Sequence, residues 1–198
     1  MLKTHHTKGM LEAGLDEAGR GCFAGPVCAA AVILPEGFRN ELLNDSKQLS
    51  ERQRNLLRTE IEEQALAWAV ALVSNEEIDE INILNASFLA MHRALEKLGK
   101  VPELLLIDGN RFNAYKDIPH KCIVKGDGIY LSIAAASILA KTHRDEYMLN
   151  IHSQYPAYKW ASNKGYPTRD HKDAINQHGI TPYHRTSFNM NEQLKMDF

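Results

Sequence analysis

The chain has 198 residues, 44% apolar and 24% charged, and its 23 Lys and Arg against 25 Asp and Glu leave a formal net charge of -2. That is an ordinary globular composition with enough length for one substantial core, and it excludes gross positive charge as the means of holding a nucleic acid, which takes clustered Lys and Arg. The longest low-charge stretch, residues 22–34, is interrupted by Gly25 and Pro26 and falls short of the roughly 20 apolar residues that a membrane helix needs.

Residues 1–10 carry Lys3, His5, His6 and Lys8 with no apolar run or small-residue cleavage site after them, so the cytoplasm is the expected compartment. Three cysteines, Cys22, Cys28 and Cys122, are an odd number without CxxC spacing. They argue against a disulfide framework or a thiolate zinc site and are expected as buried small hydrophobes.

In chain order, residues 11–16 and 22–34 read as two strands in an antiparallel pair, joined by a tight connection through Gly19 and Gly21. Ser50 with Gln53 three residues later is a capping-box pattern, followed by Leu56, Leu57 and Ile61 at helical spacing; residues 65–73 then read as a buried strand. Ser74 with Glu77 repeats the capping signal. It opens a longer helix in which Ile78, Ile81, Leu84, Phe88, Met91 and Leu95 recur every three or four residues, ending near Gly99. Residues 104–107 form an apolar run that predicts a central strand buried on both faces, ending in Asp108-Gly109. A shorter run, 122–124, leads to Gly126-Asp127, and residues 129–149 predict a helix whose Ala134, Ala135, Ala136 and Ala140 permit close packing on a sheet. Strands alternating with helices indicate an α/β fold with a mixed α+β sheet. From residue 151 the chain turns aromatic and basic, with Tyr155, Tyr158, Trp160, Tyr166, Tyr183 and Phe188 among Lys159, Lys164, Arg169, Lys172 and Arg185.

The informative pattern is where acids fall. Asp16 and Glu17 end the first strand, Asp108 ends the run 104–107, and Asp127 follows the run 122–124. Any one of them could merely cap a turn, as Asp before Gly often does. Ends of adjacent strands converge, however, and crowded carboxylates repel unless a cation neutralises them. An oxygen-only set without His or Cys ligand spacing favours Mg²⁺ or Mn²⁺ over zinc. Asp16 and Glu17 are neighbours, and on a regular strand they point to opposite faces, so both serve one site only where the strand ends or distorts.

Gly19-Arg20-Gly21 would let backbone amides approach a ligand closely beside a planar donor, although a plain hairpin turn explains the tripeptide equally well. Asp45-Ser46-Lys47 reads, on spacing alone, as a solvated lead-in to the helix at Ser50. The histidines His143, His152, His171 and His184 show no HxxxH pair and read as surface residues. Tyr166, in Lys164-Gly165-Tyr166-Pro167-Thr168, could stack on a nucleotide or pack the tail onto its domain.

The blocks Asp16-Glu17-Ala18-Gly19-Arg20-Gly21, Ala24-Gly25-Pro26-Val27, Asp45-Ser46-Lys47-Gln48-Leu49 and Ile107-Asp108-Gly109 occur in order. They are followed by Val124-Lys125-Gly126-Asp127, AAASILAK at 134–141 with Arg144-Asp145, KGYPT at 164–168 and PYHRTSF at 182–188. Together they resemble the type 2 ribonuclease H family, the bacterial ribonuclease HII enzymes, over residues 11–188. The resemblance implies an RNase H-like mixed sheet with flanking helices in residues 1–150, and a substrate-contacting helical segment in 151–198 packed on the same domain. It implies a monomeric endonuclease acting on RNA–DNA hybrids and on duplex DNA carrying single ribonucleotides, and leaves a replication-clamp partner open.

Carried over by position, Asp16, Glu17, Asp108 and Asp127 are implied as catalytic acids holding Mg²⁺ or Mn²⁺. Gly19, Arg20 and Gly21 are implied to sense the ribonucleotide 2′-hydroxyl, Tyr166 to stack at the RNA–DNA junction, and Lys47, Arg185 and Ser187 to lie near phosphates. Cys22-Phe23 departs from the Pro-Leu common after the glycine-arginine-glycine motif; both replacements are apolar, and local repacking is expected.

Read from the residues alone, three classes stand: a two-metal nuclease, a carboxylate-metal hydrolase of small phosphoesters, and a non-catalytic nucleic-acid-binding module. The basic aromatic tail weighs against the small-substrate enzyme. The acid cluster weighs against the binding module, because unneutralised carboxylates repel phosphate.

Overall fold

Alanine- and valine-rich runs at the start of the chain and a leucine run at its middle supply the strands of one sheet. In the computed structural model, which describes residues 2–43 and 49–189, these are β1 (Glu12–Ala18), β2 (Val27–Ile33), β3 (Ala67–Val73), β4 (Leu104–Asp108) and β5 (His120–Ile123). Their order is β3-β2-β1-β4-β5. β2 pairs antiparallel with both β1 and β3, whereas β4 runs parallel to β1 and β5. β1 is therefore the central strand. β4 lies beside it and is buried on both faces, with Leu105 and Ile107 in one core and Leu104 and Leu106 in another. β3, expected as fully buried, is an edge strand: Ala69, Ala71 and Val73 face the core while Leu72 is exposed.

Helices cover both faces. α1 (Glu51–Gln64) and α2 (Asn75–Lys97) each begin in a reciprocal capping box, Ser50 with Gln53 and Ser74 with Glu77, as their sequences predict. α2 packs on one face of the sheet, while α3 (Leu131–His152), with Ala134, Ala135, Ala136 and Ala140 fully buried, packs on the other beside α1. The continuous helix expected from Ser74 to Gly99 is broken at Asn82, whose backbone (φ 64°, ψ 162°) is non-helical. Its side-chain oxygen accepts the amides of Leu84 and Asn85, so it caps a second helical stretch. Apolar periodicity runs through the break and hides it.

Gly14, at the middle of β1, is where α3 comes closest. A Cβ there would lie 2.2 Å from the backbone carbon of Ser132. The absence of a side chain is what lets a helix backbone settle on the central strand.

Beyond α3 come a 3₁₀ turn (Pro156–Tyr158), α4 (Trp160–Asn163) and α5 (Arg169–His178). Tyr158, Trp160 and Ala174 bury against Ala24, Met148 and Ile151, with Tyr155 and Tyr183 at the margin. His171 and His184, expected at the surface, are 0% and 1% exposed. They are affordable inside because their polar atoms are partnered. The His184 Nδ1 accepts the Thr181 amide (2.9 Å), which assigns its proton to Nε2; that group donates to His171 Nε2 (3.1 Å), and His171 Nδ1 donates to the Tyr166 carbonyl (2.9 Å). Burial pushes both imidazoles down, His184 to about 4, so the pair is neutral. Of the cysteines, Cys22 and Cys28 are buried as expected, while Cys122 is half-buried.

Replacing Gly14 by Val should destabilise the protein by roughly 3 kcal/mol or more, the upper end for overpacking, because the clash is with backbone that cannot swing away. Denaturant titration of the purified variant reads this directly; a midpoint equal to wild type would contradict the close approach.

Candidate active site

The sheet opens at the carboxyl end of β1. Its antiparallel ladder with β2 stays regular to Ala18–Cys28, but its parallel pairing with β4 stops at Leu15–Ile107. Asp16 and Glu17 lie just past that last pair, and Asp108 is the final residue of β4. Parity places Asp16 on the α3 face with Ala18, and Glu17 on the α2 face with Ala13 and Leu15. Both nevertheless line one cavity of about 270 Å³ together with Asp108. No distortion of β1 itself is needed, since the two faces communicate where β4 ends.

Burial raises the Asp16 carboxyl well above the usual range, and the negative charges of Glu17 and Asp108 add to it; a hydrogen bond from Ser137 pulls weakly the other way. Burial also raises Glu17, opposed by Arg20, whose Nη1 lies 3.2 Å from Glu17 Oε1. The Gly126 amide donates to Asp108 Oδ1 at 2.7 Å, which joins β4 to the 3₁₀ turn Gly126–Gly128. Asp127, on that turn, is buried but does not line the cavity with the other three acids.

Three converging carboxylates whose mutual repulsion Arg20 relieves only at Glu17 are a donor set suited to a hard divalent cation. Among the described residues no three His, Cys, Asp or Glu already stand around one point at ligating distance. The carboxylates would have to draw in around an ion, and Asp127 would join them only by a shift of its turn.

Facing the acids are Gly19, Arg20 and Gly21. Gly19 has φ +94°, in the left-handed region that favours glycine, and a Cβ there would lie 1.9 Å from Arg144 Nε. Arg20 is about half exposed. The cavity is completed by Tyr166, Lys141 and Ser137. Tyr166 stands outside the aromatic cluster that seats the C-terminal segment, and its ring lies 5.7 Å from the Arg144 guanidinium and 6.0 Å from Lys141 Nζ. Burial pushes its phenol up to about 12, which keeps the ring neutral. Lys141 is tethered to Asp145 at 2.5 Å.

Ser137 and Lys141 were not among the residues expected here. Their signal is present in the sequence: Ser137, Lys141 and Asp145 recur every fourth residue, a polar line on one face of an alanine-rich helix.

Two residues expected near phosphates lie elsewhere. Arg185 is 0% exposed, and its three guanidinium nitrogens donate to the carbonyls of Gly25 (3.0 Å), Arg20 (2.8 Å) and Gly19 (2.7 Å). Sealed from solvent, with each guanidinium nitrogen held by a backbone carbonyl, it does not reach the cavity. Ser187 gives its hydroxyl to Asp79 Oδ1 at 2.6 Å; burial would raise that carboxyl, but the hydrogen bonds from Ser187 and Thr186 outweigh it and hold it low. Neither lines the cavity. Lys47 lies outside the described residues. Cys22 and Phe23 are fully buried: the Phe23 amide donates to the Gly165 carbonyl at 2.8 Å, and the Cys22 thiol lies 3.8 Å from the Lys164 carbonyl.

A family model described as Ribonuclease HII matches residues 13–191. The ribonuclease HII of Bacteroides thetaiotaomicron is 65% identical over 200 residues, spanning 100% of both chains. Among solved structures, ribonuclease H2 from Pyrococcus horikoshii is similar with a TM-score of 0.76 at 26% identity, covering 94% of this chain and 97% of that one. The RNase HII of Archaeoglobus fulgidus, solved in complex with PCNA, gives 0.75 at 25% identity, covering 90% and 95%. The expected RNase H-like architecture is thereby borne out, and with acids and glycine motif in place at the open end of its sheet the chain belongs to the ribonuclease HII family.

Proposed function

We propose that this protein is a metal-dependent endoribonuclease that hydrolyses the RNA strand of RNA–DNA hybrids and nicks on the 5′ side of single ribonucleotides embedded in duplex DNA, leaving 3′-hydroxyl and 5′-phosphate ends. The observation that carries the reading is that one cavity holds three carboxylates, the Gly19–Gly21 loop and Tyr166 together. Two Mg²⁺ or Mn²⁺ ions held by Asp16, Glu17, Asp108 and Asp127 would supply charge neutralisation at the scissile phosphate and an acidified water.

The protein's own groups then have distinct tasks. The Gly19–Gly21 backbone, free of side chains at both glycines, can approach a sugar closely enough for amides to meet a 2′-hydroxyl, the atom that separates RNA from DNA. The neutral Tyr166 ring offers a stacking surface at the junction. Arg20 moderates the Glu17 charge. The Cys22 thiol is no nucleophile, since burial raises it and keeps it protonated. A small phosphoester would use none of the loop, the ring or the exposed Lys159 and Arg169 on the flanking segment. The PCNA complex of the Archaeoglobus relative is the ground for proposing a replication-clamp partner here; the cytoplasm remains the proposed compartment.

Asp108→Asn retains an oxygen to accept the Gly126 amide but removes a charge. It should leave the thermal unfolding of the metal-free protein at or above wild type and abolish cleavage of an RNA–DNA hybrid; wild-type turnover in that variant would sink the assignment of the acids.

Asp16 and Glu17 have raised values in the folded protein. Their contribution to metal-free stability is therefore present below their unfolded values and lost as pH rises through the folded ones. A cation that binds the ionised acids reverses that loss. The rise in melting temperature on adding Mn²⁺ should grow from acidic to neutral pH, and a pH-independent rise would count against this site as the binding locus.

Tyr166→Ala should lower kcat/KM about tenfold or more on a duplex with one ribonucleotide, given a base-stacking contribution of roughly 1–3 kcal/mol. The same assay run beside an all-DNA duplex and p-nitrophenyl phosphate tests the whole reading: metal-dependent turnover of the small ester alone would replace it with the phosphoesterase.

A further inference from the structure

Among the described residues two arginines are fully buried, and both spend every guanidinium nitrogen on backbone carbonyls around the same short stretch of chain. Besides the Arg185 contacts to Gly19, Arg20 and Gly25, Arg144 Nε donates to the Pro26 carbonyl (2.9 Å), Nη2 to Ala24 (3.1 Å) and Nη1 to Lys164 (2.8 Å). Main-chain bonds run through the same place: Phe23 donates to the Gly165 carbonyl, Arg185 to Phe23 and Gly25 to Tyr183, each at 2.8 Å. The stretch 19–26 begins with the glycine loop at the cavity, and Lys164-Gly165 immediately precedes Tyr166. The arginines thus join two recognition elements that lie some 140 residues apart in sequence and share no strand.

We propose that Arg144 and Arg185 are positioning residues that set selectivity for an isolated ribonucleotide, by holding the Gly19–Gly21 backbone and the Tyr166 ring at one fixed spacing. The inference rests on the function proposed above and goes beyond it. The guanidinium fork is what makes the spacing rigid. Its donors point in fixed directions, and moving any of six carbonyls leaves a charged donor unpaired in a dry interior. A single ribonucleotide must meet loop and ring simultaneously, on one nucleotide and its neighbour. A long hybrid presents a 2′-hydroxyl at every step and tolerates a shifted spacing by binding in another register. Loosening the joint should therefore cost the first substrate far more than the second.

Arg185→Lys and Arg144→Lys test this, since each keeps a buried positive charge but replaces a three-point fork by one ammonium. We expect the ratio of kcat/KM on the single-ribonucleotide duplex to kcat/KM on a long RNA–DNA hybrid to fall about tenfold or more in each variant, as misplacement on the order of 1 Å can do. The Mn²⁺-induced rise in melting temperature should match wild type, because the acids are untouched. An unchanged ratio, with both substrates lost in proportion, would reduce the arginines to structural supports and overturn the proposal.

Where a lysine variant does not fold, Gly165→Ala opens the same joint with both arginines present, since its Cβ would meet the Ala24 carbonyl at 2.5 Å; it must show the same fall in ratio, and an unchanged ratio overturns the proposal. Wild-type protein that cuts hybrids but not single ribonucleotides would refute the underlying reading of the site instead, which separates the two failures.

Discussion

The parallel pairing of β1 with β4 ends three residues before the antiparallel pairing of β1 with β2 does, and the chemistry of this molecule depends on that difference. While β4 is paired, side chains of alternating parity on β1 are separated by the sheet. Once it stops, Asp16 from one face and Glu17 from the other look into the same space, with Asp108 at the tip of β4 closing it. Adjacent residues on one regular strand can then act together. The close seat of α3 on Gly14 belongs to the same arrangement, since it is α3 that brings Ser137 and Lys141 to the cavity.

The charges are arranged in layers. Carboxylates whose ionisation is opposed by burial and by each other occupy the sheet end. Behind the facing loop lie two desolvated guanidinium groups held by carbonyl oxygens, and burial pulls Arg185 down to about 10, still a cation at neutral pH. The loop that faces the acids is therefore backed by buried positive charge. This is compatible with a chain whose overall balance is slightly acidic, because the relevant cations are buried and local.

Much of this was legible in the sequence. The capping boxes at Ser50 and Ser74, the alanine-rich α3 and the acids at the ends of apolar runs each follow from local rules, and local rules hold where an element makes its own hydrogen bonds. What stayed hidden depends on contacts between distant segments. Arg185 reads as a residue near the phosphates until the carbonyls of Gly19, Arg20 and Gly25 are seen around it. His171 and His184 read as exposed because nothing in their spacing reveals that each satisfies the other. The break at Asn82 is masked by apolar residues that keep their rhythm on both sides of it. Ser137 and Lys141 were readable as a four-residue polar repeat but were overshadowed by the alanines around them.

The neutral histidine pair has a bearing on how this protein's catalysis will look in solution. Imidazoles are the groups ordinarily blamed when a rate changes between weakly acidic and neutral pH. Here burial lowers both imidazoles tied to the Tyr166 loop, His184 to about 4, and raises the Asp16 and Glu17 carboxyls. An acid limb in a pH–rate profile then points to the buried carboxylates before it points to His184.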